Sequence, residues 1–269
     1  MEERISNIFN GLINEIANLD KVSAIGISGK LRPFPLPGKG DFDIFVYCDE
    51  IPKEKTRLEQ LSKVPGIENI GYVGKSYAWG NMDFCTIENI ETFVMYFKKS
   101  DVLKNTEDIL RGKYLWKLDN GYFPIGRVAM LASINILYDR DGFLSTSQKV
   151  LKLYPGSLKE KMIAFHTSRM LDPEDFERAI SRKDILFYHS VLDTAIEHFL
   201  MALFAMNETY FPSRKKSSEY IDRFDKKPSR CLERLQSVIK DSVVEEKMDT
   251  SYINYLELCD ELIELSGLR

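Results

Sequence analysis

Gly26-Ile27-Ser28-Gly29, followed after a loop by Gly40-Asp41-Phe42-Asp43-Ile44-Phe45-Val46-Tyr47, is the stretch that decides how this chain is read. Strand side chains alternate between faces. A strand over residues 42–48 therefore sets Asp41 and Asp43 on one side and Phe42, Ile44 and Val46 on the other. Two carboxylates held side by side repel each other unless a cation lies between them. The pair suits Mg²⁺, which takes one or two carboxylates and completes its shell with water and substrate phosphates. A third candidate, Asp83 in Gly80-Asn81-Met82-Asp83-Phe84-Cys85, is flanked by apolar residues, as a strand aspartate reaching out of a core is.

Working outward, residues 4–19 repeat Ile5, Ile8, Phe9, Leu12, Ile13, Ile16 and Leu19 at helical spacing. Residues 22–28 read as a short buried strand ending at glycine, and 54–63 as a polar helix closed by Pro65-Gly66. Residues 70–73 and 77–87 read as two further strands, the second carrying Asp83. From Glu88 onward the pattern predicts helices only, over 90–97, 102–111, 125–137 and 158–170, then one long helix from Pro173 or Asp175 to Met206. The break at Tyr210-Phe211-Pro212-Ser213 is followed by two or three more, the last over 252–265. Strands then helices imply an α+β chain. The charged turn Asp139-Arg140-Asp141-Gly142 sets the expected boundary, giving a mixed-sheet domain over 1–141 and an all-helical domain over 142–269.

The order of these elements resembles the nucleotidyltransferase superfamily, which includes DNA polymerase beta and the aminoglycoside and lincosamide nucleotidyltransferases. Its pattern is a strand ending in Gly-Gly/Ser-Ser, a loop, Asp-x-Asp on the next strand, and a third acidic residue on a later one. Gly26 and Ser28 match the first element, Asp41 and Asp43 the second, and Asp83 the third. The chain departs from the pattern at Ile27 and in a long loop carrying Pro33, Pro35 and Pro37. A second similarity to some of these enzymes lies in Leu137-Tyr138-Asp139-Arg140-Asp141-Gly142, and in Leu203-Phe204-Ala205-Met206-Asn207 with Tyr210-Phe211-Pro212-Ser213-Arg214-Lys215.

The resemblance implies a two-domain enzyme with its site in the cleft between the domains. It would use Mg²⁺ or Mn²⁺ to transfer a nucleoside monophosphate from a nucleoside triphosphate to a hydroxyl of a small-molecule acceptor, releasing pyrophosphate. Asp41, Asp43 and Asp83 would be the catalytic metal ligands, with Asp83 completing the site and taking the acceptor's proton. Gly26, Ser28 and Gly29 would cradle phosphate, with Lys30, Arg32 and Lys39 nearby. Lys215 and Lys216, following Arg214 after the proline break, would reach the triphosphate. Asp193 and Glu197, four apart on one helix, offer a carboxylate for the acceptor's proton, and Trp79 a stacking surface. Two alternatives stand beside this: nucleotidylation of a protein hydroxyl, as in nucleotidyltransferase antitoxins, and a non-catalytic nucleotide-binding module, for which the Ile27 departure and the proline loop speak.

Composition narrows the classes. With 37 basic and 41 acidic residues the net charge is −4, which argues against broad nucleic-acid binding. Cys48, Cys85, Cys231 and Cys259 form no Cys-x-x-Cys pair and fit no zinc spacing, so buried free thiols are expected. No apolar run is long enough to span a bilayer, and the amino terminus does not read as a basic-then-apolar leader, so none is expected. The expectation is a cytoplasmic protein with no membrane partner.

Overall fold

In the computed structural model, which describes residues 2–76 and 78–267, residues 90–97 form a strand and not the expected helix. The chain runs α1 (Glu2–Ala17), β1 (Val22–Ile27), β2 (Phe42–Cys48), α2 (Glu54–Leu61), β3 (Ile67–Ser76), β4 (Gly80–Ile87) and β5 (Ile90–Lys98). The turn between β4 and β5 explains the error. Ile87 pairs with Ile90, leaving a two-residue connection in which Glu88 (φ 50°) and Asn89 (φ 62°) are both left-handed. That is the geometry of a tight hairpin. The run after it, Ile90-Glu91-Thr92-Phe93-Val94-Met95-Tyr96, is rich in β-branched and aromatic residues, which fit a pleated surface.

The strands form one sheet in the order β3-β4-β5-β2-β1-β6, with β6 spanning Asn135–Asp139. β2 and β5 run parallel, and the other neighbours are antiparallel. β6 was expected to be the end of a helix over 125–137. The helix α4 (Pro124–Ser133) stops short, and the chain turns to add β6 to the free edge of β1.

One face of this sheet is the core of the first unit. Ile5, Leu12 and Ile16 of α1 pack with Ile25 and Ile27 of β1, Ile44 and Val46 of β2, and Val94 of β5. Each such side chain contributes about 1.5–3 kcal/mol on full burial. The odd–even alternation of β2 thus does what its sequence pattern requires, and directs Asp43 to the other face.

The remaining elements are α3 (Lys99–Leu110), α5 (Phe143–Leu151), α6 (Gly156–Thr167), α7 (Pro173–Ser181), α8 (Ile185–Met206), α9 (Ser217–Ile221), α10 (Cys231–Asp241), a 3₁₀ turn (Glu245–Lys247) and α11 (Met248–Ser266). The long helix expected from Pro173 is two. Lys183 adopts a left-handed φ of 55°, and the Asp184 side chain accepts from the N–H of Phe187 to start α8 anew. The division of the chain also differs from the expected boundary at residue 141. Unit 1 comprises residues 1–108 and 130–153, and unit 2 comprises 109–129 and 154–269. β6 and α5 belong with the sheet because β6 pairs with β1 and the Asp139 carboxylate caps α5 at Leu144 and Ser145.

Unit 2 is built around α8, which is buried over most of its length from Ala195 to Met206. All four cysteines are buried and free, and burial pushes each thiol up to about 12. Among the described residues no helix is long and apolar enough to cross a membrane.

Candidate active site

The carboxylate face begins at the amino-terminal end of β2. In the parallel pairing of β2 with β5, Phe42 lies opposite Thr92 and Asp43 opposite Phe93. Carried one residue back, the same register sets Asp41 beside Glu91. Residues paired across strands share a face. Asp41, Asp43 and Glu91 therefore stand on the side of the sheet away from α1. Asp41 and Glu91 are exposed and Asp43 is half-buried. Further along β2 that face is closed by aromatic packing. Phe45 lies 6.2 Å from Phe97, and Tyr47 lies 5.1 Å from Phe143. At the end carrying the carboxylates the side chains at 41 and 91 are exposed.

Ser28 is tied directly to this group. Its backbone N–H donates to the Asp43 carbonyl at 3.1 Å, and its hydroxyl donates to Asp43 Oδ2 at 3.4 Å. Gly29 follows with φ +76°, a conformation that favours glycine. Gly26 has a different role from the expected phosphate cradle. It is buried within β1, and a Cβ there would lie 2.6 Å from Ile134 Cδ1 and 3.2 Å from the Asn135 carbonyl oxygen. Glycine at 26 lets residues 134–135 close over β1; the turn at Ser28–Gly29 is what faces outward.

The proline loop is anchored on the α1 side. Phe34 sits 5.7 Å from Phe9 and 5.5 Å from Phe42, with the Arg32 guanidinium 3.8 Å from its ring centre. Arg32 also reaches Glu2 and Ser6, while Lys30 and Lys39 are exposed.

Asp83 does not join the carboxylates. β5 lies between β4 and β2, and Asp83 pairs with Val94, which in turn pairs with Ile44. This places Asp83 on the core face, opposite Asp43. It is fully buried and held by Arg57 of α2 through two hydrogen bonds of 2.8 Å. Arg57 donates a third to the Pro52 carbonyl and lies 4.9 Å from the Tyr96 ring centre. Burial pushes the Asp83 carboxyl up, and the guanidinium opposes that shift. The aspartate pins α2 to the sheet. Its sequence context identified a strand but not which face it serves, because the strand next to it had been read as helix. Glu91 was missed for the same reason. The hairpin signal and the β-branched run around it were the clues.

Other carboxylates near the sheet are engaged structurally. Lys99 pairs with Asp49 at 2.8 Å and with Asp141, and its charge and hydrogen bonds hold both carboxyls below their usual range. Trp79, at the β3–β4 turn, is 48% exposed.

In unit 2, Asp193 and Glu197 are neutralised by basic partners. Arg214 lies 2.5 Å from Asp193 and 3.6 Å from Glu197, and Lys117 lies 2.7 Å from Glu197. Glu197 is buried. Next to it His198 stacks on Trp116, ring centres 3.9 Å apart, and its Nδ1 lies 2.8 Å from His166 Nδ1. His166 Nε2 is 2.8 Å from the Leu115 carbonyl, which can only accept. His166 is therefore protonated at Nε2, and His198 donates from Nδ1. His189 is exposed. Lys215 and Lys216 are exposed side chains of unit 2 just before α9, with Lys216 at the left-handed cap position (φ 59°).

Among the described residues no group of three or more His, Cys, Asp and Glu side chains is close enough together to hold a metal ion in this conformation. The carboxylates at 41, 43 and 91 supply hard oxygen donors, the type Mg²⁺ and Mn²⁺ take, and one or two suffice when phosphate and water complete the shell.

The description "Domain of unknown function (DUF4037)" matches residues 122–216. This stretch includes Asn135, His166, Asp193, Glu197, His198 and Arg214, and none of Asp41, Asp43, Asp83 and Glu91. No curated protein matches the chain. Among solved structures the chain is similar to a nucleotidyltransferase-like protein from Exiguobacterium sibiricum 255-15. The identity is 12% and the TM-score 0.49, over 99% of this chain and 77% of that one.

Proposed function

We propose that the protein transfers a nucleoside monophosphate from a nucleoside triphosphate to a hydroxyl group of a small acceptor, releasing pyrophosphate. The observation that carries this reading is the shared face of Asp41, Asp43 and Glu91, beside the outward turn at Ser28–Gly29. Asp41 and Asp43 are the proposed ligands for Mg²⁺ or Mn²⁺. When bound, the metal would neutralise triphosphate charge and ease ionisation of the attacking hydroxyl. Glu91 takes the role first assigned to Asp83. It is the carboxylate proposed to receive the acceptor's proton as the hydroxyl oxygen bonds to the α-phosphorus and the bond to the β-phosphate oxygen breaks. The Ser28 hydroxyl orients Asp43, the Ser28 N–H being spent on the Asp43 carbonyl, and the small Gly29 lets phosphate oxygens approach the remaining backbone N–H groups of the turn.

The test is a screen of the four labelled ribonucleoside triphosphates against hydroxylated acceptors with Mg²⁺ or Mn²⁺, reading labelled product and pyrophosphate together. Divalent-dependent release of both supports the reading. Absence of triphosphate binding at millimolar concentration with either metal would overturn it.

A further inference from the structure

We propose that Asn135, at the start of β6, is a positioning residue for the phosphate-side turn. The proposal rests on the reading of Ser28–Gly29 given above. Asn135 Nδ2 donates to the Gly29 carbonyl at 2.6 Å, across 106 residues of sequence. On the other side of the turn Ser28 is bound twice to Asp43, through its N–H and through its hydroxyl. One hydrogen-bonded chain thus runs from β6 through the turn to the carboxylate strand.

The chemistry of the turn gives this chain a purpose. Gly29 sits at φ +76°, and without a Cβ its backbone has more conformations open to it than any other residue would have. A peptide that flips there exchanges an N–H for a carbonyl oxygen. A carbonyl oxygen facing a triphosphate repels it, whereas an N–H binds it. Asn135 captures that carbonyl and keeps it turned toward β6. The same stretch explains Gly26, since residues 134–135 come close enough to reach Gly29 only because no Cβ stands at 26.

The claim has a readout in the free protein and another with ligand. In Asn135→Leu, which keeps size and removes the donor, the backbone amide of Ser28, protected by its bond to the Asp43 carbonyl, should exchange with deuterium faster than in the native protein. Affinity for the Mg²⁺-triphosphate should fall about fivefold, the worth of one such hydrogen bond, while affinity for the matching nucleoside stays the same. In turnover the loss should appear in the KM for triphosphate more than in kcat. Asn135→Ala provides a second variant with the same expectation. Unchanged exchange at Ser28, or equal weakening of triphosphate and nucleoside, overturns the role of Asn135. A native protein that binds no triphosphate while exchange still rises in the variant overturns the phosphate reading, and the two failures are told apart.

Discussion

Arg57 grips Asp83 through two hydrogen bonds of 2.8 Å on the sheet face opposite Asp43. A buried carboxylate with a bidentate partner is committed to the fold. Removing one member strands the other's charge without water.

The first prediction follows. Asp83→Ala should destabilise the protein by about 3–5 kcal/mol, the usual cost of breaking a buried ion pair from one side. Denaturant unfolding measures it. Below the transition, the variant's Mg²⁺-dependent triphosphate affinity should equal that of the native chain. A stable variant that has lost the affinity would return Asp83 to the site.

Asp43→Asn should behave in the opposite way. Asn still accepts from Ser28, and one of two repelling carboxylates is gone, so stability should change by less than about 1 kcal/mol. Divalent-dependent triphosphate binding should disappear. Calorimetric titration with and without Mg²⁺ reads this directly.

Gly26→Ala should cost about 1–3 kcal/mol, because its methyl would meet Ile134 at 2.6 Å and the Asn135 carbonyl at 3.2 Å. The clash with Ile134 involves the flexible end of a side chain. In Gly26→Ala/Ile134→Val the combined cost should therefore be smaller than the sum of the single changes, as neighbours sharing one space require. Additive costs would mean that the Ile134 contact does not decide the residue at 26.

The His166–His198 pair predicts a pH dependence. Burial, first, and the facing charges, His198 for one and Arg169 with Lys117 for the other, lower the two imidazoles to about 3 and about 4. Both are neutral in the folded protein, while in the unfolded chain they take up protons below about pH 6.5. Their contribution is therefore complete above pH 6.5 and is lost as the pH falls toward 4 and 3. The slope is at most about 1.4 kcal/mol per pH unit for each histidine. Unfolding free energies at pH 7, 6 and 5 should fall more steeply in the native protein than in His198→Asn. Parallel slopes would place the titration elsewhere.

Much of the fold was legible because it rests on periodicity. The α1 stripe, the alternation in β2 and the apolar α8 each carry one clear pattern. The α+β class and the face shared by Asp41 and Asp43 follow from them. β5 was not legible in this way. Its mostly buried run has no strong alternation, and an apolar run of that kind looks alike in helix and strand. That one error hid the position of Glu91 on the face of Asp41 and Asp43 and left Asp83 as the expected third carboxylate. Sheet order is set by long-range pairing, and sequence order alone does not show that β5 lies between β4 and β2. Asn135 was invisible for a related reason, since only the addition of β6 to β1 brings it to Gly29.

The most direct test of the account compares Glu91→Gln with Asp83→Asn in one assay, Mg²⁺-dependent transfer from a labelled triphosphate under conditions where both variants are folded. The account predicts a loss of about 10²-fold or more in kcat for Glu91→Gln, the range for removing a positioned acid–base group, with unfolding stability nearly unchanged. It predicts native turnover for the folded fraction of Asp83→Asn, with stability reduced. Native turnover in Glu91→Gln together with inactive but fully folded Asp83→Asn would contradict it.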